Sequence, residues 1–171
     1  ILFVATKKQT KDIVRQTAEE LKQPYVTERW LGGTLTNVAT VTAQIKKLKD
    51  LERHMVTGDF EKRYSKLEVQ RFQEEIDELN KKYGGVKDLN GKPGAVFIID
   101  AIGDLNAIKE ANVLGVPVVG LVDTNADPSL IDYVIPGNDD AIKGVSLILD
   151  YEKQAIAEGA GTTKVEANVK G

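Results

Sequence analysis

The segment RWLGGTLTN, residues 29–37, decides how the rest of the chain is interpreted. It contains the only tryptophan of the sequence, Trp30, and the adjacent glycines Gly32 and Gly33. Glycine reaches backbone angles that are closed to other residues, so the pair predicts a tight corner in the chain. The threonines of the segment, or Asn37, can then cap a helix that starts after the corner. We therefore predict a structural corner here that joins two parts of the molecule.

Upstream of the corner, the pattern predicts a β-α-β unit. The continuous apolar run ILFVA, residues 1–5, is typical of a strand buried on both faces. Apolar residues then recur at helical spacing from about residue 10 to residue 22, and PYVT, residues 24–27, indicates a second strand. Two strands that flank a helix in this way normally lie parallel in one sheet.

Downstream of the corner, two long helical patterns predict a hairpin. Apolar residues recur at steps of three and four over residues 38–55 and again over residues 69–83. Between them, Ser65 and Glu68 have the spacing of a capping box at a helix N-terminus. The second pattern alternates steps of three and four, which is typical of a heptad seam. We predict an inserted antiparallel coiled-coil hairpin.

Three further apolar runs, AVFII at 95–99, PVVGLV at 117–122 and YVI at 133–135, alternate with helical patterns, and Asp104 is placed to cap the first of these helices. The alternation predicts an α/β fold: a parallel sheet with helices on both faces, interrupted by the hairpin. We predict three parts. A discontinuous sheet domain spans residues 1–33 and 86–158, the hairpin spans residues 34–85, and a disordered tail spans residues 159–171.

Composition excludes several classes of protein. The 42% hydrophobic and 29% charged residues are typical of a soluble globular domain. No apolar run approaches the roughly 20 residues needed to span a bilayer, and the absence of cysteine excludes disulfides and thiolate metal sites. The chain also begins inside a predicted strand without an initiator methionine, so we expect that an N-terminal piece is missing.

Charge is distributed unevenly along the chain. The net charge is −3, yet residues 1–56 hold 10 Lys and Arg against 6 Asp and Glu, whereas residues 93–171 hold 5 against 12. A locally basic surface can bind nucleic-acid phosphates even on an acidic chain, although a solvated surface is the alternative on composition alone. Trp30 either stacks on a base or packs in the core, and we favour the core. The candidates for RNA contact are Lys7, Lys8, Lys11, Arg29, Thr36, Asn37, Lys46, Lys47, Lys49 and Arg53.

An enzyme is the main alternative to a binding protein. Asp100 and Asp123 follow two predicted strands, at the sheet edge where open α/β proteins bind ligands. Together with Asp139 and Asp140 they could serve a metal-dependent phosphotransferase or hydrolase. Each aspartate also has a local use, as a turn former after a strand or as a charge in the first turn of a helix, and we favour that interpretation. The first β-α turn, ATKKQT, lacks the glycine-rich fingerprints of dinucleotide and P-loop sites.

Several longer phrases follow one another in a distinctive order. They are RWLGGTLTN, GG-x-KD, FIID, AIKEA, GVPVV, DTN-x-DP and DY-x-IPGNDDAI. From Ile1 to about Leu149 the chain resembles the ribosomal protein S2 family of the small ribosomal subunit. RWLGGTLTN and IPGNDDAI are long and unusual, so the resemblance is highly specific. The LGG form is similar to the bacterial and organellar branch of that family.

The resemblance implies a flavodoxin-like α/β domain with a coiled-coil hairpin, no catalysis and no cofactor. It implies a structural constituent of the small ribosomal subunit that binds ribosomal RNA and neighbouring ribosomal proteins, ribosomal protein S1 among them. No membrane, metal or small-molecule substrate is expected. The expected location is the cytoplasmic ribosome, with an organellar ribosome left open. Members usually carry a helical segment and an extra strand before ILFV, which agrees with a missing N-terminal piece.

The chain also departs from the family pattern in its first hairpin helix. The family usually has an aromatic residue where Val38 stands, and Lys and Arg are common around Ala39 and Ala43. This helix therefore begins less basic than in its relatives. Lys46 and Lys47 become the better candidates for phosphate contact.

Overall fold

Five strands form one parallel sheet within residues 1–159, which are the residues that the computed structural model describes. The strands are β1 (Leu2–Val4), β2 (Tyr25–Val26), β3 (Val96–Ile98), β4 (Val118–Val122) and β5 (Tyr133–Pro136). They lie in the order β2-β1-β3-β4-β5. Every neighbouring pair is parallel, because the chain returns across the sheet between successive strands instead of turning in a tight hairpin.

The central strands bury side chains on both faces of the sheet, as their continuous apolar runs predict. Leu2 and Val4 pack on one face, whereas Phe3 packs on the other, where its ring centroid lies 5.5 Å from that of Phe97. The alternation follows from the pleat of a strand, in which successive side chains point in opposite directions. Each face therefore needs a cover of its own.

Helices supply that cover on both faces, which confirms the predicted fold class. Helices α1 (Lys11–Glu20) and α6 (Ile142–Gly159) cover one face, where Val14 and Val145 join the cluster around Phe3. Helix α5 (Leu105–Val113) covers the other face, where Ile108 and Ala111 join the cluster around Leu2. The strand order is that of flavodoxin-like sheets.

Between β2 and β3 the chain forms an arm of three helices. These are α2 (Val38–Val56), α3 (Asp59–Arg63) and α4 (Lys66–Tyr83). The two long helices pack against each other around the buried side chains of Leu48, Ile76 and Leu79. The arm is thus an insertion in the sheet topology, while its assignment as a coiled coil stays a prediction.

The connection between the long helices contains a short helix of its own. Gly58 adopts a left-handed conformation, with φ of 69°, and short helix α3 follows it. Ser65 then caps α4: its hydroxyl accepts the N–H of Glu68, and the Glu68 carboxylate accepts the N–H of Ser65. The predicted capping box is confirmed.

Residues 160–171 hold almost all of the predicted disordered tail and lie outside the described residues. Gly159, the first residue of that predicted tail, ends α6. The division into parts at 33/34, 85/86 and 158/159 stays a prediction. No helix in the described part of the chain is both long and apolar enough to cross a bilayer.

Candidate nucleic-acid interface

A single carboxylate, that of Glu110 on α5, holds the corner between the sheet and the arm. Its Oε1 atom accepts hydrogen bonds from the indole Nε1 of Trp30 (3.0 Å) and the backbone N–H of Gly33 (2.7 Å). Its Oε2 atom accepts from the backbone N–H groups of Leu35 (3.0 Å) and Thr36 (3.2 Å) and from the Thr36 hydroxyl (3.1 Å). The corner residues are therefore wrapped around one side chain.

These donors favour the ionised form of Glu110. Burial by itself would raise the pKa of this carboxyl group, but the hydrogen bonds from Trp30, Gly33, Leu35 and Thr36 lower the pKa below its usual value. Convergent backbone N–H groups form a concave site for an anion. Here the anion is the protein's own carboxylate, so charge as well as packing fixes the corner.

Trp30 lies in the core, as favoured on sequence grounds. Its side chain is only 7% exposed and belongs to the cluster that contains Val26, Leu35 and Ile98. A ring buried in this way has no face free to stack on a base. Trp30 therefore anchors the root of the arm.

The two glycines of the corner are not equivalent, which corrects one expectation. Gly33 has φ of +89°, and a Cβ atom on it would lie 3.0 Å from the Cβ atom of Asn37. Gly32 has no positive φ, and a Cβ atom there would meet no atom within 4 Å. The requirement for glycine was right for Gly33 and wrong for Gly32, because only Gly33 adopts a left-handed conformation.

Two of the predicted RNA-contacting residues have structural partners in this corner. Asn37 caps α2, since its Oδ1 atom accepts the backbone N–H of Thr40 at 3.3 Å. Thr36 donates to Glu110 through both its N–H and its hydroxyl. Both residues are exposed, so their assignment to RNA stays a prediction alongside these local roles.

A buried carboxylate, that of Asp104, lies at the sheet edge formed by the carboxyl ends of β1 and β3. Asp104 accepts hydrogen bonds from the Thr6 N–H (3.2 Å) and from the Thr6 hydroxyl (2.8 Å). Burial raises the pKa of Asp104 to about 6, against the lowering effect of these bonds. Asp104 is the N-cap residue of α5, as predicted, but its side chain accepts no hydrogen bond from the helix because Thr6 binds this carboxylate. Flavodoxin-like sheets bind ligands at this switch point, and here the protein's own side chains occupy it.

Lys7 is held at the same edge by two aspartates. Its Nζ atom lies 3.0 Å from an oxygen of Asp139 and 2.5 Å from an oxygen of Asp140. Burial alone would lower the pKa of Lys7, but the bonds to Asp140 and Asp139 raise it above its usual value. The aspartates precede α6 instead of lying in its first turn as predicted, because a turn at Asn138 positions them toward Lys7. The ion pairs join the loop after β1 to the loop after β5.

The remaining candidates on this edge differ in their availability. Lys11 forms an ion pair with Glu28 at 2.9 Å, with the lysine side chain 28% exposed. Lys8 and Arg29 are exposed and form no ion pair with another described residue. Because β1 and β2 are parallel neighbours, the loops that carry Lys8 and Arg29 leave the same edge of the sheet. These two cations are the ones on this edge most available to a phosphate.

The arm carries the second group of candidates. Lys47, Lys49 and Arg53 form ion pairs with Glu75, Asp88 and Asp50 respectively. Each of these three cationic side chains is at least half exposed, and such surface pairs contribute little stability, so a phosphate can replace the carboxylate. Lys46 is exposed and pairs with no described acidic residue.

The aspartates of the enzyme interpretation form turns. The Oδ1 atom of Asp100 accepts hydrogen bonds from the N–H groups of Ile102 (3.0 Å) and Gly103 (2.8 Å). Asp123 accepts the N–H of Thr124 at 2.6 Å. The interpretation as turn formers after strands is confirmed, and no group of three or more potential metal-ligating side chains occurs within residues 1–159.

Sequence reasoning missed Glu110, the residue that organises the corner. It lies 80 positions from Trp30 and resembles any surface glutamate of an amphipathic helix. Its one signal was position: it precedes the buried Ala111 and follows the buried Ile108 by two residues, so it borders the apolar face of α5. Nothing in the neighbouring sequence indicates its partners.

The strand order and the inserted arm define the class, which is a flavodoxin-like α/β protein. At its switch point Asp104 bonds to Thr6 and Lys7 pairs with Asp139, and exposed cations lie at the sheet edge and along the arm. Comparison with known proteins then identifies the family. The family model described as ribosomal protein S2 matches residues 1–159, and the chain belongs to the ribosomal protein S2 family.

Curated relatives agree with this assignment. The chain is 47% identical over 172 aligned residues to the small ribosomal subunit protein uS2 of Roseiflexus sp. (strain RS-1), covering 100% of the chain and 65% of that relative. It is 43% identical over 170 residues to the small ribosomal subunit protein uS2 of Bifidobacterium longum (strain DJO10A), covering 97% of the chain and 60% of that relative. The chain thus spans somewhat less than two thirds of the length of these relatives.

Proposed function

We propose that this chain is a structural constituent of the small ribosomal subunit that binds ribosomal RNA. The observation that carries the proposal is membership of the ribosomal protein S2 family over residues 1–159. The side-chain bonds at the switch point support a role without catalysis, because Asp104 and Lys7 already have partners where an enzyme of this fold would bind its substrate.

Phosphate contact by two separate groups of cations is the proposed mode of binding. Lys8 and Arg29 lie at the sheet edge, and Lys46 and Lys47 lie about two to three turns along α2. Side chains of this kind position a protein on folded RNA without reading base edges. Lys7, Lys11, Lys49 and Arg53, together with Thr36 and Asn37, form the wider candidate surface.

The rigidity of the corner gives this surface its specificity for RNA shape. Glu110 links α5 to the residues that lead into α2, so the two groups of cations are held at fixed relative positions. A pre-organised pair of sites loses less conformational freedom on binding than two sites joined by a flexible corner. Folded RNA whose phosphates match this spacing is therefore favoured over unfolded RNA.

The same proposal covers the partners and the location. We place the chain on the ribosome of the cytoplasm, in contact with neighbouring small-subunit proteins that include ribosomal protein S1. The family assignment and the bacterial relatives support this placement. Contact with ribosomal protein S1 rests on the family alone.

Charge reversal on the arm tests RNA binding. Lys46→Glu with Lys47→Glu is expected to weaken binding to small-subunit RNA by about tenfold or more, because two cations that bind phosphates are replaced by anions. The slope of log affinity against log salt should also become shallower by roughly 0.9 for each phosphate that is no longer neutralised. Filter binding over a salt series measures both quantities. Lys109→Glu with Lys143→Glu is the matched control, since it changes net charge equally at exposed positions outside the candidate surface.

Two outcomes would contradict the proposal. One is RNA affinity that is indifferent to salt and to the Lys46 and Lys47 reversals. The other is a full-length protein that fails to co-sediment with the small subunit in high salt.

A further inference from the structure

The far end of the arm contains an open groove, here called the tip groove, with a volume of about 570 Å³. Residues of α2 line one side, and residues of α3 and α4 and the junction between them line the other. Its lining includes the cationic or titratable side chains of Lys46, Lys47 and His54 and the aromatic rings of Tyr64 and Phe72. Its volume falls in the range of sites that hold one small molecule or one chemical group of a larger one.

Three aromatic rings line the groove, and not all of them are buried between the helices. Phe60 and Phe72 are stacked with ring centroids 4.4 Å apart, and Phe60 is buried at 8% exposure. Tyr64 stands edge-on to Phe72, with centroids 5.2 Å apart and an interplanar angle of 80°. Tyr64 is nevertheless 45% exposed. Phe60 thus seals the end of the arm, while Tyr64 leaves an aromatic surface uncovered.

Cations border this aromatic surface. Lys46 lines the groove and pairs with no described acidic residue. Lys47 lines it too, and its pair with Glu75 is exposed on both sides. Asp50 is the one carboxylate among the described residues that line the groove, and it is paired with Arg53 at 3.1 Å. The groove therefore combines an apolar aromatic wall with a net positive border.

We propose that the tip groove binds one unstacked nucleotide of RNA, with the base against Tyr64 and Phe72 and the adjoining phosphate on Lys46. A nucleotide carries a flat ring and an anion in a single unit, which matches an aromatic wall next to a lysine. An acidic peptide would need two residues to supply the same pair of groups. This inference rests on the proposed function, and it adds single-stranded or looped RNA to the folded RNA that the cations recognise by shape.

Fluorescence of a short single-stranded oligoribonucleotide with one central 2-aminopurine tests the proposal, because stacking quenches this base. Binding by the whole chain should quench it, and Tyr64→Leu should weaken affinity about 5- to 100-fold, as expected for loss of one base stack. Tyr64→Phe keeps the ring and should bind like the wild type. Lys46→Gln should weaken binding and reduce the salt dependence by roughly 0.7 of a slope unit, as for one phosphate on a single strand.

Two comparisons show whether the aromatic wall is responsible. An oligonucleotide with an abasic site in place of 2-aminopurine, measured by competition with the fluorescent one, should bind the wild type more weakly and be insensitive to Tyr64→Leu. Helix content by circular dichroism should be unchanged in Tyr64→Leu, because the ring is half exposed and α4 keeps its capping box.

Equal affinity of Tyr64→Leu and wild type for the 2-aminopurine oligonucleotide would overturn the groove proposal. Tighter binding of an acidic, aromatic-containing peptide than of the oligonucleotide would also overturn it, in favour of protein docking. If Tyr64→Leu has no effect while the Lys46 and Lys47 reversals abolish binding to folded RNA, the proposed function stands and the groove proposal falls. If none of these changes affects any RNA, both fall.

Discussion

The sheet and the arm are stabilised in different ways. Among the described residues, the two faces of the sheet carry clusters of sixteen and nine buried apolar residues, whereas the cluster between α2 and α4 has only Leu48, Ile76 and Leu79. The arm instead uses exposed ion pairs such as that of Lys47 with Glu75, and local devices such as the capping box at Ser65. Ion pairs of this kind contribute at most about 1 kcal/mol each.

This difference decides which region keeps the fold stable and which region has side chains exposed to a partner. A sheet buried on both faces must keep apolar residues at nearly every position, so few side chains of the strands can face a partner. A thin helical arm buries only a narrow seam and presents most of its length to solvent. The sheet therefore provides a rigid platform, and the arm exposes most of its surface, where we propose that RNA binds.

The first prediction compares the two regions directly. Phe97→Ala in the sheet should lower the free energy of unfolding by about 4 kcal/mol and destabilise all of the described elements, because it opens a cavity against Phe3. Leu48→Ala in the arm should cost about 3 kcal/mol or less, confined to α2 and α4. Urea unfolding followed by amide hydrogen exchange measures both the size and the extent.

Leu67→Ala is the control for this comparison, since Leu67 is 60% exposed on α4 and its truncation should change little. Faster exchange across the sheet strands in Leu48→Ala would show that the arm and the sheet unfold as one unit, which would contradict the comparison.

The second prediction concerns the link between the regions. Glu110→Ala should cost about 2 kcal/mol, because it leaves the N–H groups of Gly33, Leu35 and Thr36 without their acceptor. Hydrogen exchange at these three amides should accelerate more than exchange within β1 or β3. Lys109→Ala, at the neighbouring exposed position, should leave these amides unchanged.

The pH dependence of this link has a definite sign. The pKa of Glu110 is lowered in the folded state, so its contribution is present above the unfolded pKa of about 4.3 and is lost as pH falls through the folded pKa. Below about pH 4 the wild type and Glu110→Gln should therefore approach each other in stability. If their difference in the free energy of unfolding grows on acidification, the ionised carboxylate of Glu110 is not what stabilises the corner.

The third prediction, with the smallest expected effect, concerns the two glycines of the corner. Gly33→Ala should cost about 1 kcal/mol, because alanine is strained at a positive φ. Gly32→Ala should be neutral within a few tenths of a kcal/mol, since its Cβ atom would enter open space. Thermal unfolding of the two variants in parallel distinguishes them, and equal losses would refute the non-equivalence of the two glycines.

Elements whose cause lies within a short stretch of sequence could be predicted. The strands follow from apolar runs such as ILFVA, the long helices from their periodicity, and the capping box from two residues three positions apart. Helix α3 was missed because five residues are too few to show a helical period. The sequence showed that Trp30 suits a core but not what its indole nitrogen would bind.

Contacts between distant parts of the chain could not be predicted in this way. Asp104 looked like a helix cap because its neighbours are helical, yet Thr6, which lies 98 positions away, takes its carboxylate. Lys7 looked like a free cation because its immediate neighbours in sequence are not acidic, although Asp139 and Asp140 lie against it in the fold. Opposite charges in these loops become neighbours only when the strands are arranged in the sheet, and that arrangement is not visible in the local sequence.

The contacts of the first described strand and of the loop after it reach far along the chain, as the bond between Lys7 and Asp139 shows. It spans 132 positions, and β1 pairs with β3 across more than 90, whereas the ion pair of Lys47 with Glu75 spans 28. A chain made from its N-terminus can therefore close the arm while β1 still lacks β3 as a neighbour. Contacts this long in sequence slow folding. Among the described elements, β1 is made before the arm yet gains its neighbour β3 only after the arm is complete.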